Sequence, residues 1–186
     1  MPWIRTIDPA DAEGPLADAY AVQAGPLGRP TEFTQLGSLD PGIVGARLAL
    51  YRASEHIPSA LTSRQTALIS YLTSVLNETP HCASLSRPYL AGLGGGVLDA
   101  LDDRDYDRLP AADAALARYV HALTLTPGLV TEEHVKALRD VGFGDLEVLH
   151  ANNQCAHLNY TNRVANGLGL LHEAALEERT PDRVPR

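Results

Sequence analysis

The chain has 186 residues, enough for one domain with a real core or for a domain with a small appendage. Its formal net charge is −8, and its 15 Lys and Arg residues are scattered without a basic stripe, so no nucleic-acid-binding face is expected. The start, Met1-Pro2-Trp3-Ile4-Arg5, lacks an apolar leader, and no later run approaches the roughly 18 apolar residues that cross a bilayer. A cytoplasmic protein without membrane or nucleic-acid partners is the expectation.

Asp8-Pro9 reads as an N-cap and first helical residue, with the helix running through Ala10 to about Ala24, Gly25 as its stop and Gly14-Pro15 as an early break. Residues 26–39, with Gly28, Pro30 and Gly37, read as a loop. Asp40-Pro41 repeats the cap-and-proline start for a helix through Ile43, Leu48, Leu50 and Tyr51, ended by His56-Ile57-Pro58. Thr62-Ser63-Arg64-Gln65 has the form of a capping box, and Leu68, Ile69, Leu72, Val75 and Leu76 then recur at helical spacing up to Asn77.

A new helix opens at Thr79 and runs through Leu85 and Leu90 to the Gly92 and Gly94-Gly95-Gly96 stop. A short helix over 97–102 and a charged linker over 102–108 follow, and Pro110 starts a helix that Pro127-Gly128 closes. Thr131 opens another, Gly142 caps it, and Asp145 begins the longest element, running to about Leu171 or beyond. No alternating strand pattern and no repeat is visible. The reading is all-α, with seven or eight helices in one domain over 1–178 and a frayed charged tail over 179–186.

Two stretches carry candidate chemistry. In Asn77-Glu78-Thr79-Pro80-His81-Cys82, Thr79 suits an N-cap whose hydroxyl accepts a backbone N–H, and Pro80 suits the first helical position. Cys82 then falls in the first helical turn, where the macrodipole, free N–H groups and a neighbouring His81 favour a thiolate. A small buried hydrophobe at a helix start is the plainer alternative. In the last helix, His150, Asn152, Asn153, Gln154, Cys155, His157 and Asn159 make an otherwise buried element polar on many sides. Such groups must be hydrogen-bonded internally, face a wet pocket or lie in a subunit interface. His150 and His157, seven apart, share one face. Cys82 and Cys155 match neither a secreted disulfide framework nor a zinc-ribbon spacing.

Taken in order, Leu61-Thr62-Ser63-Arg64, the helix ending Ser74-Val75-Leu76-Asn77, the turn to Cys82, Val141-Gly142-Phe143 and Asn159-Tyr160-Thr161-Asn162-Arg163-Val164-Ala165-Asn166-Gly167-Leu168-Gly169 resemble the alkylhydroperoxidase D-like branch of the carboxymuconolactone decarboxylase superfamily. The resemblance covers nearly the whole chain. It implies a compact multi-helix bundle, assembly into a homodimer, trimer or hexamer, and activities that include thiol peroxidase (antioxidant) and lyase chemistry. The peroxidase branch carries a Cys-x-x-Cys pair at this helix start, a relay glutamate on the preceding helix and a downstream histidine. The peroxidatic cysteine corresponds to Cys82, but the resolving cysteine falls on Thr79, the glutamate on Ala67 and the histidine on Ser86. The two-cysteine cycle is therefore absent.

The leading expectation is a small-molecule enzyme that works by proton transfer (decarboxylation, isomerisation or elimination) in a polar pocket between the Cys82 helix start and the last helix. Its candidate catalytic residues are His81, Cys82 and His157. The candidate substrate-binding residues are Thr79, His150, Asn153, Gln154, Tyr160 and Arg163, the last as a carboxylate partner. No cofactor is expected. Alternatives are a one-cysteine thiol peroxidase or oxidoreductase using Cys82, a metal site built from His81, Cys82 and a last-helix histidine, and an inactive oligomeric binding protein.

Overall fold

A computed structural model describes residues 2–56 and 59–174. Among them are nine α-helices and no strand: α1 (Gly14–Leu27), α2 (Glu32–Gln35), α3 (Pro41–Tyr51), α4 (Ser63–Leu76), α5 (Pro80–Leu93), α6 (Val97–Asp102), α7 (Ala111–Leu125), α8 (Glu132–Asp140) and α9 (Asp145–Gly167). The all-α reading holds.

Helix α4 is the axis, with α5, α7 and α9 packed round it. Its start is fixed locally: Thr62 Oγ1 accepts from Gln65 N at 3.3 Å while Gln65 Oε1 accepts from Thr62 N at 2.8 Å. Leu68, Ile69, Tyr71 and Leu72 are at most 1 % exposed, and burial of each such side chain stabilises the fold by about 1.5–3 kcal/mol. A second, smaller cluster joins Leu16 and Tyr20 of α1 to Val44 of α3. This N-terminal layer supplies one wall of the site described below.

Several boundaries differ from expectation, each for a local reason. Asp8-Pro9 opens only a 3-10 turn over Pro9–Asp11, and α1 begins at the Gly14-Pro15 step instead. Gly25 does not stop α1, which continues to Gly28, whose φ of 76° is the left-handed cap that favours glycine. The loop after it contains α2, nucleated by Thr31, whose Oγ1 accepts from Thr34 N. Helix α3 does not end cleanly at Tyr51 but passes into a π-turn over Arg52–His56. Residues Ile57 and Pro58 of the expected stop, and the tail over 179–186, lie outside the described residues. Helix α9 ends at Gly167, before the expected Leu171, because Gly169 takes a φ of 83° and turns the chain.

The polar stripe of α9 is resolved into an internal network. Tyr119 Oη donates to Asn152 Oδ1 at 2.8 Å, and Gln154 Nε2 donates to Thr66 O at 2.9 Å and Ser70 Oγ at 3.0 Å. Asn159 Nδ2 donates to Thr124 Oγ1 and Cys155 O, while its Oδ1 accepts from Asn77 Nδ2 at 3.0 Å. Helix α9 is thus bonded to α4 and α7 as well as packed on them. Gln154→Ala should cost about 2 kcal/mol or more, since it opens a void and removes both hydrogen bonds, with a matching fall in the urea-unfolding midpoint.

Candidate functional site

The α4–α5 turn is a Schellman closure: Thr79 N donates to Ser74 O at 2.8 Å and Glu78 N to Val75 O at 3.0 Å, with Glu78 at φ 53° in the left-handed position that glycine usually fills. This corrects the expected cap. Thr79 does precede Pro80, but its hydroxyl donates to Asn77 O at 3.3 Å and makes no cap hydrogen bond. The turn nonetheless sets His81 and Cys82 as the second and third residues of α5, both buried. Their backbone N–H groups belong to the first turn, where a helix has no acceptor of its own to offer.

His81 and Cys82 line a partly open cavity of about 230 Å³. His157 reaches it from α9, and Arg47 and Tyr51 reach it from α3. Both histidines are almost fully buried, 2 % exposed for His81 and 6 % for His157, and the Nδ1 atom of each has no hydrogen-bond partner among the described residues. Burial lowers the pKa of both; for His81 the nearby Glu32 carboxylate opposes the shift. Both imidazoles are thus biased to the neutral form, which accepts a proton at one nitrogen and donates at the other.

Glu32 Oε2 stands 3.9 Å from His81 Nδ1, and the same carboxylate holds His172 Nε2 at 3.0 and 3.1 Å. The His172 ring sits edge-on to His81 with centroids 5.8 Å apart. His172 is placed by anchors on both sides: Leu170 N donates to Ala165 O, and Ala174 N donates to Ser84 Oγ at 3.0 Å. Glu32, His81 and His172 offer ligand atoms all within 4.8 Å of one another, a donor set able to hold a divalent transition metal. The cluster differs from the metal set expected from sequence, since Glu32 and His172 take the places given to Cys82 and a last-helix histidine.

The other candidates sit elsewhere. His150 Nδ1 accepts from Ala60 N at 3.1 Å and fastens the chain before α4. Asn153 is exposed and bonds Leu149 O within its own helix. Gln154 belongs to the α4–α9 network, touching the cavity only through Ser70. Tyr160 and Arg163 line a shallow surface depression with Val164, and Arg163 bonds Asn159. Cys155 lies in the main core with Thr73 and Thr124 on its sulfur and burial raising its pKa, whereas Cys82 packs in a separate cluster with Leu36 and Leu170. Ser86, at the position of the family histidine, is in the cavity wall, while Ala67, at the position of the glutamate, packs against the main core.

Sequence reasoning missed Glu32, Arg47, Tyr51 and His172. The one available signal was the repeated cap-and-proline start at Asp40-Pro41, which placed Arg47 on a helix without indicating which way it faced.

No protein-family model and no curated protein matches this sequence. Solved structures do match its fold. An uncharacterized peroxidase-related protein from Ralstonia eutropha JMP134, an alkylhydroperoxidase AhpD core, superposes with a TM-score of 0.80 at 19% identity, covering 95% of this chain and 94% of that one. A second uncharacterized peroxidase-related protein, from Silicibacter sp. TM1040, gives 0.70 at 19% identity over 82% and 81% of the two chains. The debrominase Bmp8, as a cysteine-to-alanine variant in complex with 2,3,4-tribromopyrrole, gives 0.70 at 14% identity over 87% of each chain. This chain has the alkylhydroperoxidase D-like helical fold.

The lowered histidine pKa values have a consequence for stability. A histidine whose folded-state pKa lies below its unfolded value of about 6.5 gives up its proton on folding, so the unfolded chain binds more protons between the two values. The contribution is complete above about pH 6.5 and is lost as pH falls through the unfolded pKa towards the lower folded one. Urea-unfolding midpoints should therefore rise between about pH 5.5 and 7, and the double variant His81→Asn with His157→Asn should show a flatter profile.

Proposed function

We propose that this protein is a small-molecule enzyme whose cavity carries out proton-transfer chemistry on a carbon substrate, a decarboxylation, isomerisation or elimination. The observation that carries the reading is that two buried histidines, each with an Nδ1 that makes no hydrogen bond among the described residues, line the cavity that Cys82 also lines. Buried polar atoms without partners are costly, and a substrate that bonds them is the natural compensation. His81 is the principal acid or base, with Glu32 beside it to favour the imidazolium that forms on proton uptake. His157, free of carboxylate influence, is the second. The first-turn N–H groups of α5 supply a place for developing negative charge.

This reading uses no metal. Should Glu32, His81 and His172 instead hold one, protein purified without added metal would carry it stoichiometrically and His172→Ala would lose it. Absence of bound metal by elemental analysis is the expected result.

A second reading is thiol chemistry at Cys82. What favours it is the fold it shares with Bmp8, a debrominase crystallised with a cysteine replaced. Thr79 has no thiol to resolve an oxidised Cys82, and Cys155 belongs to a different cluster, so recycling would need an external thiol. The two readings separate on a panel of lactone carboxylates, 2,3,4-tribromopyrrole with added thiol, and an organic hydroperoxide with added thiol. His81→Asn should lower turnover by about a hundredfold or more, and Cys82→Ser by far less. The reverse order would install the thiol reading.

A further inference from the structure

Among the described residues Arg47 is the one arginine that lines the cavity, and it is only 7 % exposed. Among the described residues no carboxylate pairs with it. Its hydrogen bonds are two long ones from Nη2, to Thr34 O at 3.4 Å and Phe33 O at 3.5 Å, and the face of the guanidinium rests on the Phe33 ring 4.7 Å from its centroid. The other buried charge of comparable depth is treated differently: Asp113 is paired with Arg64 at 2.6 Å. Burial lowers the Arg47 pKa; the Tyr160 phenol opposes the shift, and no Asp or Glu carboxylate does. A guanidinium stays protonated even so, and it presents five N–H donors, so most of its fork is unspent.

The backbone is shaped to admit this group. A Cβ at Gly37 would lie 2.2 Å from Arg47 Nη2 and 2.9 Å from Val44 Cγ2. The guanidinium therefore packs directly against a glycine, in a space that any larger residue would close. A cation set into a fitted slot beside a cavity, without a counter-charge, is a binding site awaiting an anion.

We propose that Arg47 docks the negative charge of the substrate and that the cavity selects small organic carboxylates. This rests on the cavity being the site of the reaction proposed above and names the class of molecule it takes. A carboxylate matches the fork with two parallel N–H···O bonds. The remaining wall near Arg47, Phe33, Val44, Leu48 and Leu85, is apolar. A cavity of about 230 Å³ is sized for a small molecule such as a single-ring acid. The role that sequence reasoning gave to Arg163 thus falls to an arginine over a hundred residues earlier.

The test is binding, read by calorimetry at pH 7.5 with benzoate and pyrrole-2-carboxylate against benzamide. Wild-type protein should bind the two acids at least about tenfold more tightly than the amide, the margin of a charged hydrogen-bonded pair. Arg47→Met should abolish that preference. Equal binding of acid and amide by the wild type, no binding of either acid, or a preference that survives in Arg47→Met would each overturn the proposal. If Arg47→Met does not fold, Arg47→Lys decides: it keeps the charge and loses the fork, so acid binding should weaken about tenfold, and unchanged affinity overturns the proposal. Proton transfer is read separately, on the turnover of His81→Asn. Acid binding that depends on Arg47 beside unaltered His81→Asn turnover would sink the reaction and keep the anion site, and the converse pair of results would do the opposite.

Discussion

The arrangement of the site depends on one residue, Asn77, at the junction of α4 and α5. Its side-chain amide donates back to Thr73 O at 2.9 Å and across to Asn159 Oδ1 at 3.0 Å, while its backbone carbonyl accepts from Asn166 Nδ2 at 2.8 Å and from the Thr79 hydroxyl. Four bonds thus hold a turn that includes a left-handed glutamate, a conformation costing about 1–2 kcal/mol without glycine. The strain is sustained because the helices on either side determine where the turn must go. What the turn delivers is orientation: α5 emerges with His81 and Cys82 in its first turn, facing α2, α3 and α9.

Helix α9 serves two purposes on two faces. Toward α4 and α7 it presents Gln154, Cys155, Asn159 and Asn162, all hydrogen-bonded inward, and toward the cavity it presents His157 and Thr161. His150 and His157 do share a face, but at 1.5 Å per residue they are about 10 Å apart along the axis. That distance is enough to give them different neighbours. One fastens residues 59 and 60 and the other enters the cavity.

Local signals were legible in the sequence and long-range ones were not. Thr62 with Gln65, Asp40 with Pro41, and Pro80 after the turn each specify a helix start within a few residues, and each start is where the structure puts it. His81, Cys82 and His157 could be singled out because polar or reactive side chains at a helix start and on a buried helix are anomalous in themselves. Glu32 could not, since the four-residue α2 leaves no periodic trace, and His172 could not, since it lay at the expected end of α9, where nothing local marks a turn back toward His81. Arg47 stands at i+3 from Val44 and shares its buried face, but a charged side chain there reads as a surface residue, and the groups that enclose it, Gly37 and Phe33, are ten and more residues away. Tertiary contacts of that kind have no local signature.

The position that the resemblance assigns to the relay glutamate stands apart from the carboxylate beside His81 in three dimensions. A glutamate at position 67 would stand on α4, among groups that pack against the main core, whereas Glu32 stands on α2 at the cavity's outer side with its side chain 37% exposed. The carboxylate beside His81 is therefore in contact with solvent and with His172. With Ser86 in place of the second relay base, and His157 approaching from α9, the imidazoles flank the cavity from two helices instead of following one another along a single chain. A peroxide cycle needs protons passed in sequence to and from one sulfur. Two separated imidazoles and a buried arginine offer no such sequence, and that is the arrangement on which the proposed proton transfer rests.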